Sequence, residues 1–209
     1  MGEFLLYMLF STIEGFSVYA ITLYAFRYNL KRYLWPVLGI VTLLNLFGYG
    51  LSYEPDYSYL NPIINIIFTI LFMALIVRVP ILWAMVVGVS GYFAFGLIQV
   101  TVVLLSFGYL SINEVQTVAT KGYLLQTITG FIGTYISWLA YKFGYGFSFD
   151  FAPHRKRWEQ MLIILIISIL LVWLAVMLYF KHAPIIFLLF AFALVVSLIY
   201  AIRKENEEG

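Results

Sequence analysis

The chain alternates long apolar runs with short polar breaks. The runs fall at roughly 4–26, 34–53, 61–79, 81–107, 123–142, 160–180 and 185–202. Each is continuously apolar and close to the ~20 residues that a helix needs to cross a bilayer core of about 30 Å. None shows the alternating segments of about ten residues expected of a membrane barrel. Backbone groups in lipid must be satisfied within the segment, which leaves helices. The pattern therefore predicts an all-α, polytopic membrane protein: a bundle of seven transmembrane helices forming one domain over 1–209, with no soluble domain. Composition agrees. The 209 residues are 64% hydrophobic and 11% charged, with mean hydropathy +0.98, whereas soluble domains carry about 25% charged residues.

Two runs invite local predictions. The fourth is longer than a perpendicular crossing requires, so it must tilt, kink or protrude, and Gly88, Gly91 and Gly96 are the places for a kink. It is parted from the third only by Arg78-Val79-Pro80, and Pro80 suits a first helical turn.

Charge sets the orientation. One set of connections holds Arg27, Lys31, Arg32, Arg78, Lys142, Arg155, Lys156, Arg157, Arg203 and Lys204; the other holds Lys121 and Lys181, which completes the 12 basic residues. That bias predicts the N-terminus outside and the C-terminus cytoplasmic in a multi-pass protein of the cell membrane. An even number of spans would break the agreement. Met1-Gly2-Glu3 lacks the basic start of a cleavable signal, so the first run is expected to remain as a span. The absence of cysteine removes disulfides, thiolate nucleophiles and cysteine metal sites.

Glu14 is the most informative single residue. It is the one charge between Phe4 and Phe26. A carboxylate at that depth costs roughly 2.5–3.5 kcal/mol on insertion scales, so it is turned inward, paired, hydrated or lining a cavity. No lysine or arginine lies in the interior of any run, so the spans offer it no ion-pair partner. Asn45, Asn65, Gln99 and Gln126 all fall at the midplane or in the outer half of their runs. Each amide alone is explained by bonding across helices. Together with Glu14, from five different helices, they predict a cavity reached from outside that accepts a small, partly apolar ligand or a short peptide. Thr42, Thr69, Thr101, Thr127 and Thr129 add hydroxyls, and Ser11-x-x-x-Gly15 is a small-residue pair suited to close helix approach.

The connections carry further signals. Tyr53-Glu54-Pro55-Asp56-Tyr57-Ser58-Tyr59 reads as an interfacial tyrosine belt or a ligand-contacting rim. The outer segment from Tyr109 to Gly122, with Glu114 and Lys121, is long enough to act as a lid. Inside, Phe143, Tyr145, Phe147, Phe149 and Phe151 alternate with small or polar residues ahead of His154-Arg155-Lys156-Arg157-Trp158. Aromatics at period two beside a basic cluster suit an extended segment in the headgroup region. Phe147, Phe149, Arg155, Lys156, Arg157 and Trp158 are thus the expected contacts with lipid or a cytoplasmic partner.

Several activities find no support. Gly88-Val89-Ser90-Gly91 matches the G-x-S-G segment of rhomboid proteases, but the histidines, His154 and His182, lie outside the runs and on opposite sides, leaving the serine without a base. There is no H-E-x-x-H or paired-aspartate motif, and no lysine in the seventh run for a retinal Schiff base. No enzyme activity, cofactor, metal site or nucleic-acid partner is expected.

The whole plan resembles the membrane sensor module of peptide-sensing histidine kinases of the accessory-gene-regulator and competence type. It shares about two hundred residues, six or seven helices, short loops and a cytoplasmic exit helix, here 185–202 followed by Arg203-Lys204-Glu205. The resemblance is architectural and no specific motif is shared; the kinase helix and ATP-binding domain are not in this sequence. It implies a bacterial receptor or sensor that binds an extracellular ligand and signals to a cytoplasmic kinase or partner, either a separate protein or a part of the same protein beyond this sequence. The chain also resembles, in size and hydrophobicity, the substrate-binding subunits of energy-coupling-factor vitamin importers. Those have six spans and an Ala-x-x-x-Ala pattern, where this chain has seven runs and Ser11-x-x-x-Gly15. Transport, or a structural role in a membrane complex, are the alternatives to sensing.

Overall fold

A computed structural model describes residues 2–51 and 61–147, together with Leu188, Phe190–Phe192, Leu194, Val195 and Ile199. The predicted span at 160–180, most of that at 185–202, the tyrosine-rich connection at 53–59 and the basic cluster at 154–158 lie outside the described residues. Within them the chain is all-helical: α1 (Gly2–Ala25), a 3-10 turn (Leu30–Tyr33), α2 (Leu34–Leu51), α3 (Asn61–Leu75), α4 (Ile81–Leu105), α5 (Ile112–Thr117) and α6 (Ala119–Lys142). Three of these are long and apolar enough to cross a membrane: α1, α2 with its leading turn, and α4; α3 is a shorter apolar helix.

Pairwise contacts fix how the helices run. Gly15 meets Val41 and Phe4 meets Tyr49, so α1 and α2 are antiparallel. Gln99 meets Glu14 and Gly91 meets Thr22, so α1 and α4 are antiparallel. Phe10 stacks on Tyr123 and Tyr24 packs on Tyr141, so α1 and α6 are parallel. α1 is the central helix, touching α2, α4 and α6 along its length. Every residue from Ser17 to Tyr24 is buried.

Small residues make that centre. A Cβ on Gly91 would overlap Thr22, and one on Gly130 would sit 3.1 Å from the Ile13 carbonyl oxygen. Such close backbone approach is how helices associate where lipid supplies no hydrophobic drive. The glycines of the fourth run therefore serve contact rather than bending: Gly88 receives Ile70, Gly91 receives Thr22 and Gly96 receives Phe190, while α4 runs unbroken from Ile81 to Leu105.

The two ends of the bundle differ. Between the α1–α2 and α3–α4 turns, Tyr19, Phe72, Met73, Trp83 and Val87 are almost wholly buried and form a dry core. Tyr19 meets Phe72 edge-on at 4.9 Å. The turns at this end reverse through Arg27 (φ 55°) and Arg78 (φ 66°), left-handed positions that terminate helices. After α6, Gly144 and Gly146 take positive φ and the chain folds back over α1, where the Phe147 N–H donates to the Ala25 carbonyl at 2.9 Å. The other end carries the α4–α6 connection with α5. The outer surface, including Leu43, Leu46, Phe47, Leu71, Phe131 and Ile136, is apolar and exposed, as expected where lipid is the solvent.

Some element boundaries depart from the sequence reading. The third helix stops at Leu75 rather than 79, because left-handed Arg78 and the residue restriction before Pro80 end it early. Pro80 caps α4 from outside the first turn, its carbonyl accepting the Ala84 N–H at 2.9 Å. The fourth helix ends at Leu105, where Phe107 (φ 50°) and Gly108 (φ 93°) turn the chain. The fifth expected span starts one turn earlier, at Ala119, and a short helix, α5, occupies what reads as a loop.

Candidate functional site

Glu14 sits one-half of the way along α1, between the dry core and the α5 end. Gln99 of α4 donates its Nε2–H to Glu14 Oε1 at 2.9 Å. Gln126 of α6 borders the same cavity as Glu14. It also donates its Nε2–H to Ser11 Oγ at 3.3 Å, while its Oε1 is buried with no partner among the described residues. Tyr92, about two helical turns before Gln99, borders the same cavity. Glu14 is enclosed by protein yet keeps accessible surface, and that surface faces a cavity.

The cavity has a volume of about 460 Å³, within the 300–1,000 Å³ typical of ligand sites. Along α1 it is bordered from Tyr7 to Val18, about 16 Å at 1.5 Å per residue. Glu14, Asn45, Asn65, Gln99 and Gln126 all border it. The structure thus brings together the five polar residues that the sequence analysis grouped by depth alone. Two of them are already engaged elsewhere in part: Asn45 donates to Thr12 Oγ1 at 3.0 Å, and Asn65 donates to the Asn61 carbonyl one turn back at 2.9 Å. Much of the remaining lining is apolar, with Val18, Leu44, Phe95, Val100, Leu125 and Phe190 among it.

The spans' threonines do not join the site. Thr42, Thr69, Thr101, Thr127 and Thr129 each donate to the carbonyl four residues back, the usual way a helix satisfies a hydroxyl in lipid. Ser11 and Gly15 do both border the cavity, and Gly15 lets Val41 of α2 approach to 2.8 Å of where a Cβ would stand.

Residues that sequence reasoning did not single out complete the wall. Tyr7 and Tyr92 were indistinguishable from other aromatics in apolar runs, and Asn61 read as a helix start. Ile112, Val115 and Gln116 come from α5, which therefore covers one side of the cavity as a lid would. Its signal was present as Ser111-Ile112-Asn113-Glu114, the S-x-x-E capping pattern. The Ser111 side chain accepts from the Glu114 N–H at 3.4 Å. Glu114 and Lys121 then tie α5 to α6 at 2.8 Å, and Lys121 also lies over the Tyr109 ring at 4.5 Å. The hydrogen bond from Lys121 holds the Glu114 carboxyl below the usual carboxylate range.

The inner candidates divide. Phe147 is not laid along a surface: it is half-buried, packed against the core and 5.5 Å from the Phe26 ring. The positive-φ glycines on its N-terminal side turn it inward, which breaks the expected period-two line. Phe149, Arg155, Lys156, Arg157 and Trp158 lie outside the described residues. Among the described residues, no group of three or more His, Asp or Glu side chains is placed to hold a metal.

No family model, no curated protein and no solved structure matches this chain. What the described residues define is a helical bundle suited to lipid, with a polar-lined cavity toward one end and a dry core toward the other.

Proposed function

We propose that the protein is a receptor of the bacterial cell membrane. In this reading it has seven spans, its N-terminus outside and its C-terminus in the cytoplasm. It binds a small, partly apolar ligand or short peptide in the cavity and signals to a cytoplasmic kinase or other partner. The observation that carries the reading is the convergence of Glu14, Asn45, Asn65, Gln99 and Gln126 on one cavity above a densely packed half-bundle.

Orientation rests on charge. Arg27, Lys31, Arg32, Arg78 and Lys142 lie at the dry end, and Lys121 lies at the α5 end. The positive-inside rule then puts the dry end in the cytoplasm and the cavity toward the outside. A route for the signal exists in Phe190. It borders the cavity, seats on Gly96 and meets Phe93 edge-on at 5.1 Å. It belongs to the last apolar run, the one that leads to Arg203. A ligand that displaces Phe190 biases the position of that run, which is the differential contact that a conformational signal requires.

The test is sided labelling. The chain has no cysteine, so single cysteines can be read without background. Ser11→Cys, in the cavity, should react with a membrane-impermeant maleimide added to intact cells. Asn29→Cys and Tyr145→Cys should react only after the cells are opened. Labelling of Asn29→Cys from outside, or protection of Ser11→Cys from both sides, would overturn the reading. Accumulation of a cavity ligand by proteoliposomes would convert receptor into carrier.

A further inference from the structure

Glu14 is the one formal charge among the described residues that line the cavity. Among the described residues that line it there is no lysine, arginine or histidine. The one ion pair among the described residues, Glu114–Lys121, lies outside the bundle's interior. Gln99 donates its Nε2–H to the Glu14 carboxylate, and the amide of Gln126 borders the same cavity. Tyr7, Tyr92, Phe95 and Phe190 add ring faces and edges to the same wall, and aromatic faces attract cations. An acid with no counter-ion among the described residues, held by an amide donor and flanked by aromatic rings, is half of an ion pair.

We propose that the cavity is specific for an organic ammonium group carried on an apolar body, and that the ligand supplies the counter-charge to Glu14. The ammonium seats against the carboxylate between α1, α4 and α6. The apolar body lies along Val18, Val100, Leu125 and Phe190. The other amides, Asn45 and Asn65, stand across the cavity on α2 and α3 and orient whatever polar group the body carries. This proposal rests on the cavity being a ligand site and names the class of ligand.

The experiment uses the full chain in nanodiscs and isothermal titration with probes of one shape. Phenethylamine, phenethyl alcohol and 3-phenylpropionate differ chiefly in the charge at one end. The amine should bind at least tenfold more tightly than the alcohol, and the carboxylate should bind most weakly. E14Q should abolish the preference for the amine, and E14D should keep it. The comparison of probes on the unaltered protein needs no variant, so a misfolded E14Q does not rescue the idea. Two further probes separate the sources of an ammonium: leucyl-phenylalanine amide and its N-acetylated form. Tighter binding of the free dipeptide amide than of phenethylamine assigns a peptide amino terminus, and the reverse order assigns a small amine. Equal binding of amine and alcohol, or preference for the carboxylate, overturns the charge assignment. If Ser11→Cys is nevertheless labelled from outside, the cavity reading stands and only the ligand class falls. Binding of none of the probes overturns the class too, and loss of outside labelling brings down the reading beneath it.

Discussion

Gly91→Ala tests whether the α1–α4 crossing sets the geometry of the cavity. The added Cβ would stand 2.8 Å from Thr22 Cβ and 2.9 Å from Thr22 Cα, and would overlap Thr22 Oγ1. Carbon atoms sit comfortably at about 3.5–4.0 Å, so the helices must part by about 0.6–1.2 Å. Overpacking of this kind costs about 1–3 kcal/mol. For a chain of this size each kcal/mol lowers a melting midpoint by about 2–4 °C. The separation also has a polar cost. Glu14 and Gln99 belong to the same helix pair, and their 2.9 Å hydrogen bond would stretch beyond the ~3.2 Å limit of a good one. Thr22→Ala should restore only part of the loss, because the backbone and Cβ contacts remain. Gly39→Ala is the control, since nothing lies within 4 Å of its Cβ position. The assay is the melting midpoint of each variant in one detergent, paired with the rate of Ser11→Cys labelling as a gauge of the cavity. Equal midpoints for Gly91→Ala and Gly39→Ala, or full rescue by Thr22→Ala, would refute the reasoning.

Other expectations follow from single contacts. Asn45→Leu removes the bond to Thr12 Oγ1 and should cost about 0.6–2 kcal/mol; a double-mutant cycle with Thr12→Val should show that the two effects are one interaction rather than a sum. The Glu114–Lys121 tie should order α5 at neutral pH. Because the hydrogen bond from Lys121 depresses the carboxyl of Glu114, its contribution is complete above the ordinary carboxylate range and is lost as pH falls through the lowered value. A spin label on Asn113 should therefore gain mobility only in acid, with no such step in Glu114→Gln. Gly96→Ala would put a methyl into the Phe190 ring, so it should displace that residue and raise labelling of a cysteine placed at Val100, whereas Gly50→Ala, with open space around it, should leave labelling unchanged.

Much of the fold was legible because lipid simplifies the code. α1, α2 and α4 are apolar for 18 residues or more, and only a helix satisfies such a backbone in a bilayer. The cavity residues were legible for the same reason: depth in a span makes a carboxylate or amide costly, so Glu14, Asn45, Asn65, Gln99 and Gln126 stood out individually. What the sequence hid was direction. Thr101 and Gln99 are two residues apart on α4, yet one bonds its own helix and the other bonds Glu14. Telling them apart needs the helix rotation, which packing of Gly91 and Gly96 decides. Tyr92 was hidden because a tyrosine in an apolar run reads as core or interface. Phe147 misled because period-two aromatics suggest an extended strand of chain, while Gly144 and Gly146 permit the backbone to double back.

The centrality of α1 has a consequence for how the protein is made. This helix is made before the other described helices, so it carries Glu14 forward before Gln99 exists to receive it. Gln99 lies 85 residues further on, and Gln126 emerges later still. At about 5–20 residues per second of synthesis, the carboxylate waits about 4–17 s for its first amide. During that interval the helix bears an unpaired acid whose insertion cost is about 2.5–3.5 kcal/mol, so α1 must linger beside the insertion machinery or at the bilayer surface until α4 arrives. The bundle therefore closes around its first helix instead of growing outward from it, and any change that delays α4 exposes α1 to quality control before it has found its place.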